Sequence, residues 1–444
     1  MVFTESFVSY IRSFCTRRFS QEEIHQIKRC ILDWLSISRA GACILGNRLD
    51  CISNLSSEGR CSCFLSSKKK DLLTAAFLNG FAAHEMELDD GHRRAMLHLE
   101  APIISAMIAL SQHESLTFES FVKGIMAGYQ TTVKLARMIQ PGHKMNGFHA
   151  TGTCSAIGVA SAVSMALGMN DEEHSNAIAA ATTRAAGLLA ALDSPSELKP
   201  YNISGAIEVG IRSAYLAKAG FKGPYDALYG KRGFLKVFAP GIKPDTYGLD
   251  YGSEILNIYF KPYVSCRHCH APIEAALNIR NNNHLDWRDC EDIRVETYRL
   301  AIDGHDSKVI KTSSEAKMSI PYCVAVSLIK GSCGMDSFTD DVVVSNDVQL
   351  FLHKINVQED IMLTQATPNQ RGARVIVTLK SGRQYFEYVE NPLGEPEHPM
   401  SDAMLEAKYM ELMSFAGVEE SRLIQMRDFI WSLEDHFDLF LKSL

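Results

Sequence analysis

Residues 373–389, ARVIVTLKSGRQYFEYV, decide the fold class. Val375, Val377 and Leu379 alternate with other residues, and Ser381-Gly382 separates two strand-like runs as a hairpin turn does. Ile293-Arg294-Val295 alternates in the same way, with a helical run over 271–281 before it and another over 322–329 between these strands. Residues 253–399 therefore read as a small α+β unit.

Upstream the chain reads as helix after helix. Ser20 and Glu23 make a capping-box pattern, after which Ile24, Ile27, Ile31, Trp34 and Leu35 recur at helical spacing. Further helices are expected over 72–88, 103–112, 118–139, 155–169, 172–192 and 204–219. Their many Ala, Gly and Ser residues predict closely packed neighbours. Gly223-Pro224, Pro240-Gly241 and Pro244 break this pattern and place a boundary near residue 252. Downstream, NPLGEPEHP (391–399) is a proline-rich loop, and helices return over 401–415 and 419–440. The expected architecture is mainly α: an all-helical domain from 1–252 and 400–444, with 253–399 as a smaller α+β lid. The alternative is a C-terminal extension of the small domain. No internal repeat or low-complexity segment is evident.

Composition narrows the function. The 444 residues are 46% hydrophobic and 22% charged, with a net charge of −7, which argues against a nucleic-acid or membrane-surface partner. The N-terminal stretch is a poor signal peptide, and no apolar run reaches the roughly 18 residues of a membrane span. The 12 cysteines lack the density of a disulfide scaffold, so they read as reduced thiols in a cytoplasmic protein.

Four clusters can carry chemistry. In HEMELDDGHRRAMLHLEAP (84–102), carboxylates stand beside His84, His92 and His98, groups suited to proton transfer near neutral pH; a solvated loop is the plain alternative. In NGFHATGTCSAIG (146–158), His149, Thr151 and Thr153 precede a small-residue helix whose N-terminus can offer N–H groups to an anion; a glycine turn with a packed histidine is the alternative. In SELKPYN (196–202), Lys199 reads as a loop residue before a helix, able to pair with a carboxylate or simply exposed. KPYVSCRHCHAP (261–272) sets Cys266 and Cys269 in C-x-x-C register, but the other candidate zinc ligands, His284 and Cys290, are wrongly spaced for a common finger. Arg267 reads better as a bidentate carboxylate anchor, with the neighbouring histidines as acid/base or supporting groups. Phosphate-loop, dinucleotide, zinc-protease and nucleophile-elbow motifs are all missing. What remains suits acid/base chemistry on an anion.

Taken in order, AAFLNGFAAHEMELDDGH, GFHATGT, KPYVSCRHCHA and EAKMSIPYCVAV (315–326) resemble segments of the MmgE/PrpD family. Its members include 2-methylcitrate dehydratase, cis-aconitate decarboxylase and iminodisuccinate epimerase. The resemblance spans about residues 20–400. It implies a homodimer without metal or organic cofactor and a site between the two domains. It also implies that His98, His149, Lys199, Lys261 and Tyr322 line that site. EAKMSIPYCVAV would be a helix ending in Pro-Tyr. His98 or His149 would be the base and the other, or Tyr322, the acid. Asp90 or Asp89 would orient an imidazole. Glu87, Asp89, His92, Thr151, Lys261, Arg267 and His268 would bind a small polycarboxylate. A dehydratase is the first expectation, with an epimerase, isomerase or decarboxylase as alternatives. Glu87, Gly91 and Cys266 depart from the decarboxylase pattern, which has Asp, Thr and His there, and the segment up to His98 is one residue longer. Rivals from other classes are an inactive binding or scaffold relative and a zinc-binding module.

Overall fold

The computed structural model describes residues 2–192, 196–241 and 252–444. Pro244 and the expected boundary near 252 fall largely outside these. Helices of eight or more residues are labelled α1 (Phe3–Thr16), α2 (Gln21–Leu45), α3 (Leu72–Glu85), α4 (Glu100–Glu114), α5 (Phe118–Ile139), α6 (Ala150–Ala166), α7 (Asp171–Thr182), α8 (Lys199–Lys218), α9 (His270–Asn283), α10 (Ile320–Lys330), α11 (Asp402–Phe415), α12 (Glu420–Trp431) and α13 (Leu433–Ser443). The protein is mainly α with a minor α+β part.

The capping box at α2 forms: the Glu23 N–H donates to Ser20 Oγ (3.1 Å) and the Ser20 N–H donates back to the Glu23 carboxylate (2.8 Å). Small residues then set the helix spacing. A Cβ at Gly210 of α8 would come within 2.4 Å of Val159 on α6, so glycine is what allows these two helices to touch. α6 is buried along its whole length.

Of the C-terminal helices, α11 and α12 pack on α2 and α13 packs on α4 and α5. Lys408 of α11 pairs with buried Asp33 (2.6 Å) and donates to the Leu88 carbonyl (3.1 Å), tying the chain's end to the segment after α3. The four-stranded sheet has order β2-β1-β3-β4, where β1 is Cys290–Thr297, β2 Ile355–Glu359, β3 Ala373–Leu379 and β4 Gln384–Val389. β1 and β2 are parallel, and the other pairs are antiparallel. The Ser381-Gly382 turn closes β3–β4, with Gly382 at φ +84°.

Three expectations about elements change. The helix over 172–192 stops at Thr182, because the chain beyond it pairs with the segment before α6: His149 N–H donates to the Gly187 carbonyl (3.0 Å) and Leu189 N–H to that of Gly147 (2.8 Å). α8 begins at Lys199, with Pro200 in its first turn where no N–H is needed, so Lys199 is helical rather than in a loop. Pro321-Tyr322 opens α10 instead of ending a helix.

Candidate active site

A cavity of about 350 Å³ lies where the helical body meets the α+β part. On the body side the chain leaves α3 after Glu85 and passes through Glu87 at φ +54°, a conformation costing a non-glycine residue about 1–2 kcal/mol. Two lysines hold it there. Lys261 Nζ donates to the Glu87 carbonyl (2.8 Å), and Lys199 pairs with the Glu87 carboxylate. Asp89 lies beyond, fully buried, with Oδ2 2.7 Å from His84 Nδ1 and 3.4 Å from His98 Nδ1, and Oδ1 3.6 Å from Lys261 Nζ. Burial alone would raise the Asp89 pKa, but its contacts with His84 and the Lys261 ammonium prevail and hold it well below the usual carboxylate range.

The hydrogen bonds also fix which ring nitrogens are free. His98 Nδ1 faces the Asp90 carbonyl oxygen at 2.6 Å. A carbonyl only accepts, so Nδ1 carries the proton and Nε2 keeps its lone pair. Burial, reinforced by Lys261, pushes the His98 pKa down to about 3, so the ring is neutral at neutral pH. His149 is the N-cap of α6. The Asn202 amide donates to the Leu188 carbonyl (3.2 Å) and to His149 Nδ1 (3.3 Å), which leaves the His149 proton on Nε2. Burial, with Lys199 adding to it, also holds His149 neutral. Thr151 Oγ1 accepts the His98 backbone N–H (3.2 Å) and fixes that residue's backbone. The His84 ring lies 4.9 Å from that of His98 and 6.3 Å from that of His149.

The α+β part lines the cavity with Cys266, Arg267, His268, Asp303, His305 and Arg371, and Lys144 joins them from the body. His268 Nδ1 bonds to Tyr298 Oη (2.6 Å), and its Nε2 accepts from Lys144 Nζ (3.1 Å). Burial and the nearby Arg371 and Lys199 charges lower the Lys144 pKa to about 8. Arg371 donates to the Arg93 carbonyl (2.6 Å), and its buried Nε has no partner. Among the described residues, Lys144 and Arg371 are the cavity-lining cations without a carboxylate in ion-pair range.

The expected residues divide on this geometry. His98, His149, Lys199, Arg267 and His268 line the cavity, and Glu87, Asp89, Thr151 and Lys261 stand directly behind them. Four take parts other than those expected. Arg267 does grip a carboxylate, but it is that of buried Glu395 (3.0 Å), and its remaining donors serve His270 Nδ1 (3.0 Å) and the Leu393 and Pro392 carbonyls. It therefore anchors the 391–399 loop and has no donor free for a ligand. His92 pairs with Glu254 (3.2 Å) beside a separate small pocket. The Asp90 side chain accepts the Leu99 and Glu100 N–H groups (2.9 Å each) and the Tyr129 hydroxyl (3.1 Å), so it caps α4, and only its backbone carbonyl orients an imidazole. Tyr322 is fully buried and its hydroxyl donates to the Ser337 carbonyl (2.5 Å) away from the cavity.

Lys144, His305, Arg371 and Tyr259 were not picked out from sequence. Lys144 sits five residues before His149, just ahead of that cluster, a signal that could have been followed. Arg371 lies in a neutral-looking turn before β3 and offers none. Gly91 has a steric explanation: a Cβ there would meet Tyr259 Oη at 2.3 Å and the Leu97 carbonyl oxygen at 2.9 Å, while its backbone exchanges hydrogen bonds with Tyr259 (3.1 and 2.8 Å). Tyr259 occupies the space a larger residue would need.

His84, Asp89 and His98 offer three ligand atoms within 4.8 Å of one another, the makings of a metal site. The Lys261 ammonium 3.6 Å from Asp89 already supplies positive charge there, and His98 Nδ1 is committed to a carbonyl, so the group does not suit a dication.

Fold and cavity together define a mainly helical protein with neutral imidazoles and unpaired cations enclosed between its two parts. Residues 5–246 match the MmgE/PrpD N-terminal domain and residues 263–430 the MmgE/PrpD C-terminal domain. The chain belongs to the MmgE/PrpD family. It is 24% identical to a cis-aconitate decarboxylase of Aspergillus terreus, over 98% of this chain and 94% of that protein. It is 24% identical to the human cis-aconitate decarboxylase, over 97% and 92% respectively. It is 26% identical to the mitochondrial 2-methylcitrate dehydratase of Yarrowia lipolytica, over 52% of this chain and 47% of that protein. Among the described residues, no helix is long and apolar enough to cross a membrane.

Proposed function

We propose that this protein is a lyase that removes a proton from carbon beside a carboxylate of a small di- or tricarboxylate, using its own side chains and neither metal nor organic cofactor. One observation carries the reading. Two neutral imidazoles of opposite tautomer, His98 with a free Nε2 and His149 with an Nε2–H, line a cavity whose unpaired cations are Lys144 and Arg371. His98 Nε2 takes the proton. Charge then grows on the adjacent carboxylate, where the His149 N–H, Lys199 and the unpaired cations stabilise it. A neutral imidazole is a good hydrogen-bond donor and a poor acid, so His149 polarises rather than protonates.

Loss of water is the reading we place first, because cations lining the cavity favour retention of every carboxylate. Loss of carbon dioxide is the second reading. It is favoured by the near full-length match to decarboxylases and by the apolar Met96, Leu97, Phe148 and Met318 in the lining, where a carboxylate would be desolvated. Incubating the protein with 2-methylcitrate, citrate and cis-aconitate in D₂O, with NMR of the products, separates the readings. Deuterium at carbon with water loss is the expected result, and carbon dioxide release supports the second reading. His98→Gln should lose exchange and turnover by about 10²- to 10⁴-fold. Unchanged exchange in that variant, or none with any polycarboxylate in the wild type, would defeat the proposal.

A further inference from the structure

The reading above leaves the departing hydroxyl without a proton donor. His149 is too weak an acid, the Tyr322 hydroxyl is engaged elsewhere, Lys199 is held by Glu87, and Lys144 is directed at His268 Nε2. The cavity wall formed by the α+β part contains a pair that the reading does not use. Cys266 Sγ lies 3.3 Å from His305 Nε2, and His305 Nδ1 donates to the Asp303 carbonyl (2.9 Å). That second bond aims Nε2 at the thiol. Both residues line the cavity, and Cys266 is partly accessible. Beside them the buried, unpartnered Nε of Arg371 is a second feature suited to an anion.

We infer that Cys266 and His305 form the acid of the reaction, a thiol–imidazole dyad that gives its one shared proton to the leaving group from the α+β side of the cavity. The inference rests on the lyase reading for its substrate. In the step, His98 Nε2 takes the carbon-bound proton, the C–H electron pair becomes the new C=C bond, and the C–O bond breaks. The departing oxygen takes the dyad's proton and leaves as water. His98 is then cationic and the dyad is left as thiolate with neutral imidazole. Proton exchange with solvent resets both, and no oxidant or reductant is needed.

The charge environment fits a thiol that shares its proton. Burial opposes ionisation of Cys266, but His305, by charge and hydrogen bond, and Lys199 outweigh burial and Glu87, and pull the pKa down to about 6. Lys144, Arg371 and Asp303 complete the charged groups around it. By contrast, burial drives the Cys61 and Cys154 thiols up to about 12.

Alkylation tests the dyad without knowledge of the substrate. The intact protein is treated with iodoacetate at pH 5.5–9 and each cysteine is followed by peptide mass spectrometry, with exposed Cys43 and Cys51 as internal references. Cys266 should label at pH 6.5 at least about tenfold faster than either, and His305→Ala should move its profile upward by a unit or more. Labelling no faster than the references overturns the dyad. Its role is tested in D₂O with the polycarboxylates above. Cys266→Ala and Cys266→Ser should retain His98-dependent exchange at carbon but lose turnover about 100-fold or more. Wild-type turnover in both variants would overturn the assignment. If the wild-type protein exchanges no polycarboxylate, the lyase reading fails, and alkylation still decides whether the dyad exists.

Discussion

The two walls of the cavity treat charge in opposite ways. On the body side, Lys199, Glu87, Asp89 and the histidines, with Lys261 reaching in from the α+β part, form a closed set in which every lysine has a carboxylate. On the other wall, where Lys144 of the body joins the α+β residues, Lys144 and Arg371 have none, and Arg267, which looks like a ligand anchor in sequence, is consumed by Glu395. A closed set is preorganised: it holds His98 and the strained Glu87 in place before any ligand arrives. An unbalanced set has a deficit that an anion fills. The difference assigns positioning to the body wall and recognition to the other.

The sharpest way to break this contrast is to remove one lysine from each wall. Lys261→Met leaves Glu87 and Asp89 buried with less compensation, and removing one partner of a buried ionic set costs about 3–5 kcal/mol. Urea denaturation should register that loss, and activity should fall with it. Lys144→Met removes a cation that burial already disfavours, so stability should hold or rise slightly while KM increases about tenfold or more. If the two variants behaved alike in stability, the distinction between the walls would be lost.

Acid attacks both walls at once. Burial is the first cause lowering the pKa of His92, His98, His143, His149, His174, His268 and His270 below the ordinary histidine value. A depressed folded-state pKa means that the unfolded chain binds protons first. The stability these groups allow is complete above about pH 6.5 and is lost as pH falls towards about 4 for His143 and about 3 for His98. Asp33, Asp90 and Glu100 act in the opposite sense: burial raises them, so their contribution is complete at low pH and fades as pH rises, through about 7 for Asp90. The histidines outnumber them. A net uptake of even two protons on unfolding gives a slope of about 3 kcal/mol per pH unit. Thermal melts between pH 7.5 and 5 should therefore show falling stability below about pH 6.5. A flat profile would mean that these rings are not held neutral.

Much of this was legible in the sequence, and the reason is local. The Ser20–Glu23 cap, α5 and the β3–β4 hairpin follow from hydrogen bonds and periodicities within a few residues. His98, His149, Lys199 and Lys261 stood out because they lie in dense polar clusters. What the sequence concealed was pairing over long separations. Whether Arg267 faces a ligand depends on Glu395, 128 positions away, and whether Arg371 is unpaired depends on where every carboxylate folds. Asp90 and Asp89 are adjacent and chemically alike, yet one caps α4 and the other faces two imidazoles. Nothing in the Asp-Asp pair itself tells these two roles apart.

The smallest expected effect concerns Tyr322, which the family resemblance placed in the site. Its hydroxyl donates to the Ser337 carbonyl, its ring packs against Phe338, and the side chain is fully buried. Tyr322→Phe removes one hydrogen bond and leaves the ring, so the loss should be about 0.5–1.5 kcal/mol, or somewhat more if the Ser337 oxygen stays dry. kcat should change less than about threefold, far from the loss of about 10²-fold or more that follows removal of an acid in contact with substrate. Comparing this variant with Cys266→Ser in one assay ranks the two candidate acids directly. A collapse of kcat in Tyr322→Phe with stability intact would mean that α10 swings its tyrosine into the cavity during turnover, and recognition and protonation would then have to be divided differently between the walls.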